Sequence, residues 1–206
     1  MENTMDDKKP ESSPPRRKRL TARLIIYPLA LAFVALLLGM AIIEWLGARE
    51  RARRSHCMSN IHILGIALQM YSDDNKETYS ADLQTLYDRY ATDTEIYVCT
   101  SSGKRRAKGV TPTNYELHKS AIIPAKNMSY CYVAGLKSTD PLDYVLAFEE
   151  ETDHKGEGIN VLYIGLNVVW MNDIKVVHEL LRKQEKELKA QGREMRIIRP
   201  GEPDKK

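Results

Sequence analysis

The apolar positions of this chain follow one rule before residue 47 and another after it. From Leu24 to Leu46 (LIIYPLALAFVALLLGMAIIEWL) they form a run of 23 residues broken by one charge, Glu44. At ~1.5 Å per residue such a helix is roughly 34 Å long, enough to cross a bilayer. Past the Arg-rich stretch ARERARR, apolar residues recur as Cys57, Ile61, Leu64, Leu68 and Tyr71. Spacings of four, three, four and three give one stripe on a helix that runs to about Ser72. The two patterns join without a break, so they predict a single long helix, apolar and then amphipathic, that stops in DDNKET.

Beyond that stop the periods shorten. Ser80 reads as the N-cap of a short second helix, with Leu83, Leu86 and Tyr87 on its apolar side, and EIYVC alternates as a short strand. Thr100–Asn127 is rich in Ser, Gly, Lys, Thr and Pro and predicts a long surface loop with a local turn at Tyr115–Ser120. Strands are expected at YCYVA, YVLAFE, NVLYI and VVWM, the last two joined by a hairpin at Gly165-Leu166-Asn167. Short connections favour an antiparallel meander. Asp173 then caps a helix with Ile174, Val177, Leu181 and Leu188 on one face and Gly192 past its end. The gap in that face at Gln184, with dense charge around it, predicts outer turns that are exposed or meet a partner. The expected fold class is α+β: a long N-terminal helix, transmembrane then amphipathic, packed on a small antiparallel sheet, plus a C-terminal helix. Its expected parts are a disordered basic tail (1–23), a transmembrane helix (24–46), a globular domain (47–192) and a flexible tail (193–206).

With 206 residues divided in this way, there is room for one modest core. The apolar run is too long for a cleavable signal peptide, and Glu44-Trp45 stands where a small-residue cleavage site would be needed. Seven Lys and Arg precede the run from Lys8 to Arg23 and four Arg follow it from Arg49 to Arg54. This asymmetry predicts a cytoplasmic N-terminus and a domain on the far side of the membrane. The net charge of +3 resides largely in these flanks. PPRRKR and KRRAK lack interleaved aromatics, so lipid is the expected partner and nucleic acid is not.

Several stretches resemble a known group. ARERARRSHCMSNIHILGIALQMYSDDN is similar to the segment that follows the hydrophobic helix in pseudopilin-like proteins abundant in planctomycetes and verrucomicrobia. YVCTSSG, MSYCYVAGL and HKGEGINVLYIGLNVVWM are similar to later strands of that group, the last to its closing motif of His, nine residues, Asp-Gly and a strand ending in Trp. His154 and Gly165 match that motif, but Ile164 stands in place of its Asp and Asn167 in place of a common His. A cluster built on those two positions would be incomplete here. The resemblance covers roughly residues 48–175 and implies a type IV pilin-like fold. It also implies a bacterial inner-membrane location with a periplasmic domain, and partners among other pilin-like or secretion-system subunits. RLTARLIIYPLAL carries neither the Gly nor the Glu of a prepilin peptidase site, and Glu44 lies at the far end of the span. A permanently anchored binding or scaffold domain is therefore the alternative.

Candidate chemistry is sparse. The five histidines fall in no GxSxG, HExxH or P-loop pattern, so no catalytic residue is expected and the chain does not read as an enzyme. Glu149, Glu151, Asp153 and His154 supply donors for a metal, and the resemblance implies calcium, although their spacing fits no defined calcium loop and a solvated charge run would look the same. Cys57 opens the soluble helix and Cys99 ends a strand after the chain has doubled back, so a disulfide between them and two free buried thiols are both open. Cys131, between Tyr130 and Tyr132, is expected to be buried. A zinc site from the three cysteines and His154 would require four distant segments to converge without a local ligand pair, which is uncommon.

Overall fold

The computed structural model describes the backbone of residues 16–87, 89–104 and 127–201, with side chains from residue 27 onward. The protein is α+β and divides into two units, Met1–Ala48 and Arg49–Lys206. Helix α1, Arg16–Asp74, belongs to both. Helical structure thus begins at Arg16, inside the segment expected as a tail; residues 1–15 lie outside the described residues.

In the first unit α1 presents apolar side chains from Tyr27 to Leu46 without burying them, and this is the one described segment long and apolar enough to cross a membrane. Leu31 and Ile43 are more than 70 % exposed. Water opposes leaving that much apolar surface uncovered.

In the second unit five strands form one antiparallel sheet in the order β4-β3-β2-β1-β5. Four are those the alternation predicts: β1 (Tyr130–Ala134), β2 (Val145–Glu149), β3 (Ile159–Tyr163) and β4 (Val168–Met171). The fifth, β5 (Arg196–Ile198), pairs with β1 through Tyr132↔Ile198 and Val133↔Ile197. The expectation of a flexible tail from 193 is corrected there: ladder hydrogen bonds to an otherwise open edge fix a segment whose own composition is polar. Gly135 permits the approach, since its φ is +93° and a Cβ there would stand 2.3 Å from the Glu194 carbonyl oxygen.

Helix α1 buries Cys57, Ile61, Leu64 and Leu68 completely, the stripe read from the spacing, with Tyr71 partly covered. Gly65 lies on the sheet side, where a Cβ would meet Leu162 of β3 at 2.9 Å. Helix α2 (Ile174–Ala190) starts as expected, with the Asp173 carboxylate accepting the Lys175 N–H, and Gly192 follows it at φ +72°. Gln184 corrects the reading of its face. It is 2 % exposed, and its amide accepts the Val145 N–H at 2.9 Å and donates to the Val145 carbonyl at 3.1 Å. Val145 lies where the β2–β3 register shifts, so the side chain replaces missing ladder bonds.

Two other expectations fail between the helix and the sheet. The segment after Ser80 holds only a 3₁₀ turn at Gln84–Leu86; the Ser80 hydroxyl donates to the Asp82 carbonyl, and it is Asp82 whose carboxylate accepts from Thr85. EIYVC is likewise a 3₁₀ turn, Thr94–Tyr97, capped by Asp93. Asn60 of α1 donates to the carbonyls of Glu95 and Val98 and so ties this turn to the helix. The β3–β4 hairpin is present, and it is Leu166, not a glycine, that takes positive φ (62°). Most of the predicted surface loop, with its turn at Tyr115–Ser120, lies outside the described residues.

Candidate functional site

Three segments far apart in sequence converge at one end of the buried helix stripe. Cys57 comes from α1, Cys99 from the chain just after the Thr94–Tyr97 turn, Glu149 from the last position of β2 and His154 from the following 3₁₀ turn, Asp153–Gly156. Each is fully buried, and one donor atom from each lies within 4.8 Å of all the others. The Sγ atoms of Cys57 and Cys99 are 2.9 Å apart, and both cysteines are free thiols, as is buried Cys131. His154 Nε2 is 3.5 Å from Cys99 Sγ and 3.2 Å from Glu149 Oε1.

A second layer holds these donors in place. His154 Nδ1 donates to Glu50 Oε1 at 2.8 Å, and Glu50 is itself held by the Ser101 hydroxyl and Arg53. Glu149 Oε2 accepts the Asn160 N–H at 2.6 Å. Both sulfurs accept backbone N–H groups, Cys57 from Thr100 at 3.2 Å and Cys99 from Ser101 at 3.4 Å. His154 adopts φ +50° and Lys155 φ +60°, the left-handed region that branched and bulky side chains avoid. Such strain persists only where surrounding contacts enforce it.

The closing motif of the sequence serves this cluster. Trp170 of β4 packs edge-on against the His154 ring at 5.2 Å, and the Arg54 guanidinium covers its face at 4.4 Å. Gly158, at φ +152°, leaves room for that indole: a Cβ would meet its ring at 2.7 Å. Ile164 and Asn167 take no part in the cluster. Ile164 is core, and the Asn167 carbonyl closes the β3–β4 hairpin by accepting the Tyr163 N–H. The four donors converge without either position.

The electrostatics are those of ionised groups sharing protons. Burial by itself would lower the His154 pKa, but its hydrogen bonds to Cys57, Glu149 and Glu50 raise it to about 10. Cys57 is shifted towards the thiolate, first by its bond from Cys99 and then, against burial, by His154 and Thr100. Cys99, the donor in that pair, is held protonated, and burial adds to this. For Glu50, burial works upward, but the bonds from His154, Ser101 and Arg53 outweigh it and hold the carboxyl below its usual range.

Of the residues singled out from sequence, Glu149 and His154 meet, but not with Glu151 or Asp153. Glu151 is half exposed and pairs with His178 at 3.0 Å. Asp153 is buried beside the cluster, its pKa raised to about 7 by burial and then by Glu149 and Glu150. Cys57 and Cys99 do meet, as thiols. Glu50 went unnoticed because it sits in an Arg-rich run that reads as a solvated flank; its place about two turns before Cys57, on the same helix side, was the available signal.

Residues 47–79 match the model of a family described as a protein of unknown function (DUF1559). The match includes Glu50, Cys57 and the buried stripe of α1, and it coincides with the segment that carries the pseudopilin resemblance. No curated protein and no solved structure matches the chain.

Proposed function

We propose that the protein is a membrane-anchored, pilin-like structural subunit that assembles through α1, with its sheet domain outside the cytoplasm. The observation that carries this reading is apolar surface left exposed on α1 in two places, the apolar run and, beyond the polar stretch 47–62, the soluble part of the helix. Past the apolar run, Ile63, Ile66 and Met70 remain 41–50 % exposed on the face opposite the buried stripe. Their spacings of three and four place them in one row, which a helix serving only its own domain would fill with polar groups. In the apolar run, Ala30, Ala32, Ala35, Gly39 and Ala41 allow helices to approach closely. The DUF1559 match over 47–79 supports the same architecture.

A second reading is favoured by one feature, the lack of a prepilin peptidase site in RLTARLIIYPLAL. In that case the chain stays anchored and its domain works as a scaffold or binding module. Two measurements on the protein in its own membranes separate these readings: its intact mass, and photo-crosslinking from position 66. A chain lacking the residues before its apolar helix, and crosslinked to neighbours of pilin type, establishes assembly. A full-length chain with no crosslinked neighbour leaves the anchored domain, and release by alkaline carbonate without detergent overturns both.

A further inference from the structure

We propose that Cys57, Cys99, Glu149 and His154 form a closed tetrahedral site for a zinc-class divalent cation that ties α1 to the sheet. The donor set is two sulfurs, one imidazole nitrogen and one carboxylate oxygen, the mixture that selects zinc over hard cations such as calcium or magnesium. A tetrahedron of donors about 2.0–2.3 Å from its centre has edges of about 3.3–3.8 Å. The His154–Cys99 edge of 3.5 Å and the His154–Glu149 edge of 3.2 Å already fit. The pair of sulfurs, 2.9 Å apart, must open by about 0.9 Å for two Zn–S bonds, and the remaining edges lie within 4.8 Å.

Three features favour a metal over a disulfide between the same cysteines. Backbone N–H groups point at both sulfurs, and a thiolate accepts such bonds far better than a disulfide sulfur does. His154 donates its Nδ1–H to Glu50, which aims Nε2 at the other donors, where it ligates once its own proton has left, the carboxylate–histidine–metal arrangement. Glu149 brings a carboxylate into the same buried space, where a disulfide would leave it with His154 as its sole cationic partner among the described residues.

Binding needs no oxidant or reductant. Two S–Zn bonds, one N–Zn bond and one O–Zn bond form as the water ligands of the incoming ion are released, and the protons held on Cys99 and on Nε2 leave to solvent. All four positions are taken by protein and none is exposed, so the site is structural, with no open coordination position for catalysis. It stands whether or not the chain enters a filament.

The test is a cobalt titration of the full-length chain in detergent, reduced and stripped of metal. The expected result is one equivalent of Co²⁺ bound, with visible bands of tetrahedral cobalt and a thiolate charge-transfer band, both abolished by Zn²⁺ and unaffected by Ca²⁺. Cys57→Ser is expected to abolish the thiolate bands and Cys131→Ser to keep them. Glu149→Gln, which preserves shape, is expected to shift the bands. Glu50→Gln should leave the bands in place and weaken affinity by about 10–100-fold. A reduced chain that circular dichroism shows to be folded, but that gives no cobalt bands, overturns the proposal without recourse to any variant. So does a chain from its own membranes that carries no metal and is lighter by two hydrogens through a Cys57–Cys99 disulfide.

Discussion

Asp140 illustrates how much of this domain rests on single polar residues. Its carboxylate accepts the Lys137 N–H at 2.8 Å and an Arg193 N–H at 2.7 Å, while Arg193 also donates to the Gly135 carbonyl. Burial alone would raise the Asp140 pKa; the Arg193 and Lys137 bonds outweigh it and lower it. A carboxyl with a lowered folded value contributes stability that is present above its ordinary pKa and lost as pH falls through the lowered one. Asp140→Asn should therefore cost about 1–2 kcal/mol near neutral pH, as the partial exposure of Arg193 limits the pair, with the difference from wild type shrinking below about pH 4. Urea midpoints measured across that range check it. Tyr132 is simpler: fully buried, it donates its hydroxyl to the Ser80 carbonyl at 2.8 Å. Tyr132→Phe should lower stability by about 1 kcal/mol with no pH dependence between 5 and 8, read as a drop in Tm.

At the scale of elements, packing is decided by where a side chain is missing or does a backbone's work. Gln184 makes α2 a substitute strand partner for Val145, so Gln184→Leu leaves a buried N–H and a buried carbonyl unpaired and should cost about 2–4 kcal/mol. Denaturant unfolding checks this, and amide exchange at Val145 should accelerate more than in neighbouring strands. Gly135 has the converse role. With φ at +93° and the Glu194 carbonyl against its α-carbon, Gly135→Ala should release β5 from β1 or cost about 2–4 kcal/mol if β5 stays. Exchange protection at Ile197 and Ile198 distinguishes the two.

For the whole molecule, the division at Ala48 has a physical basis: the apolar run buries nothing, whereas Glu50, Arg54 and Cys57 are all tied into the sheet domain. A fragment comprising residues 49–206 is expected to keep the near-ultraviolet dichroism of its packed tyrosines and to remain in solution without detergent. The full chain should need detergent. Loss of tertiary dichroism in the fragment would show that the apolar helix contributes to the domain's fold.

The sequence by itself determined whatever depends on period and composition. Twenty-three nearly uncharged residues mark the apolar helix, the 3–4 spacing of Cys57, Ile61, Leu64 and Leu68 its buried face, and β-branched alternation four of five strands. These signals are local, since each residue reports on neighbours within a turn or a pleat. The tertiary structure decided the rest. EIYVC alternates like a strand, yet it closes as a 3₁₀ turn, with the Val98 N–H on the Glu95 carbonyl and Asn60 tying it to α1. Arg196–Ile198 is too short to show a strand period of its own and is ordered by the free edge of β1. The cluster was legible only in fragments: His154 and Glu149 stood out as donors and Cys57 and Cys99 as a pair, but nothing local joined the two sets or brought in Glu50. Bringing Glu50 and His154, 104 residues apart, to 2.8 Å is an outcome of chain topology, which no spacing along the sequence encodes.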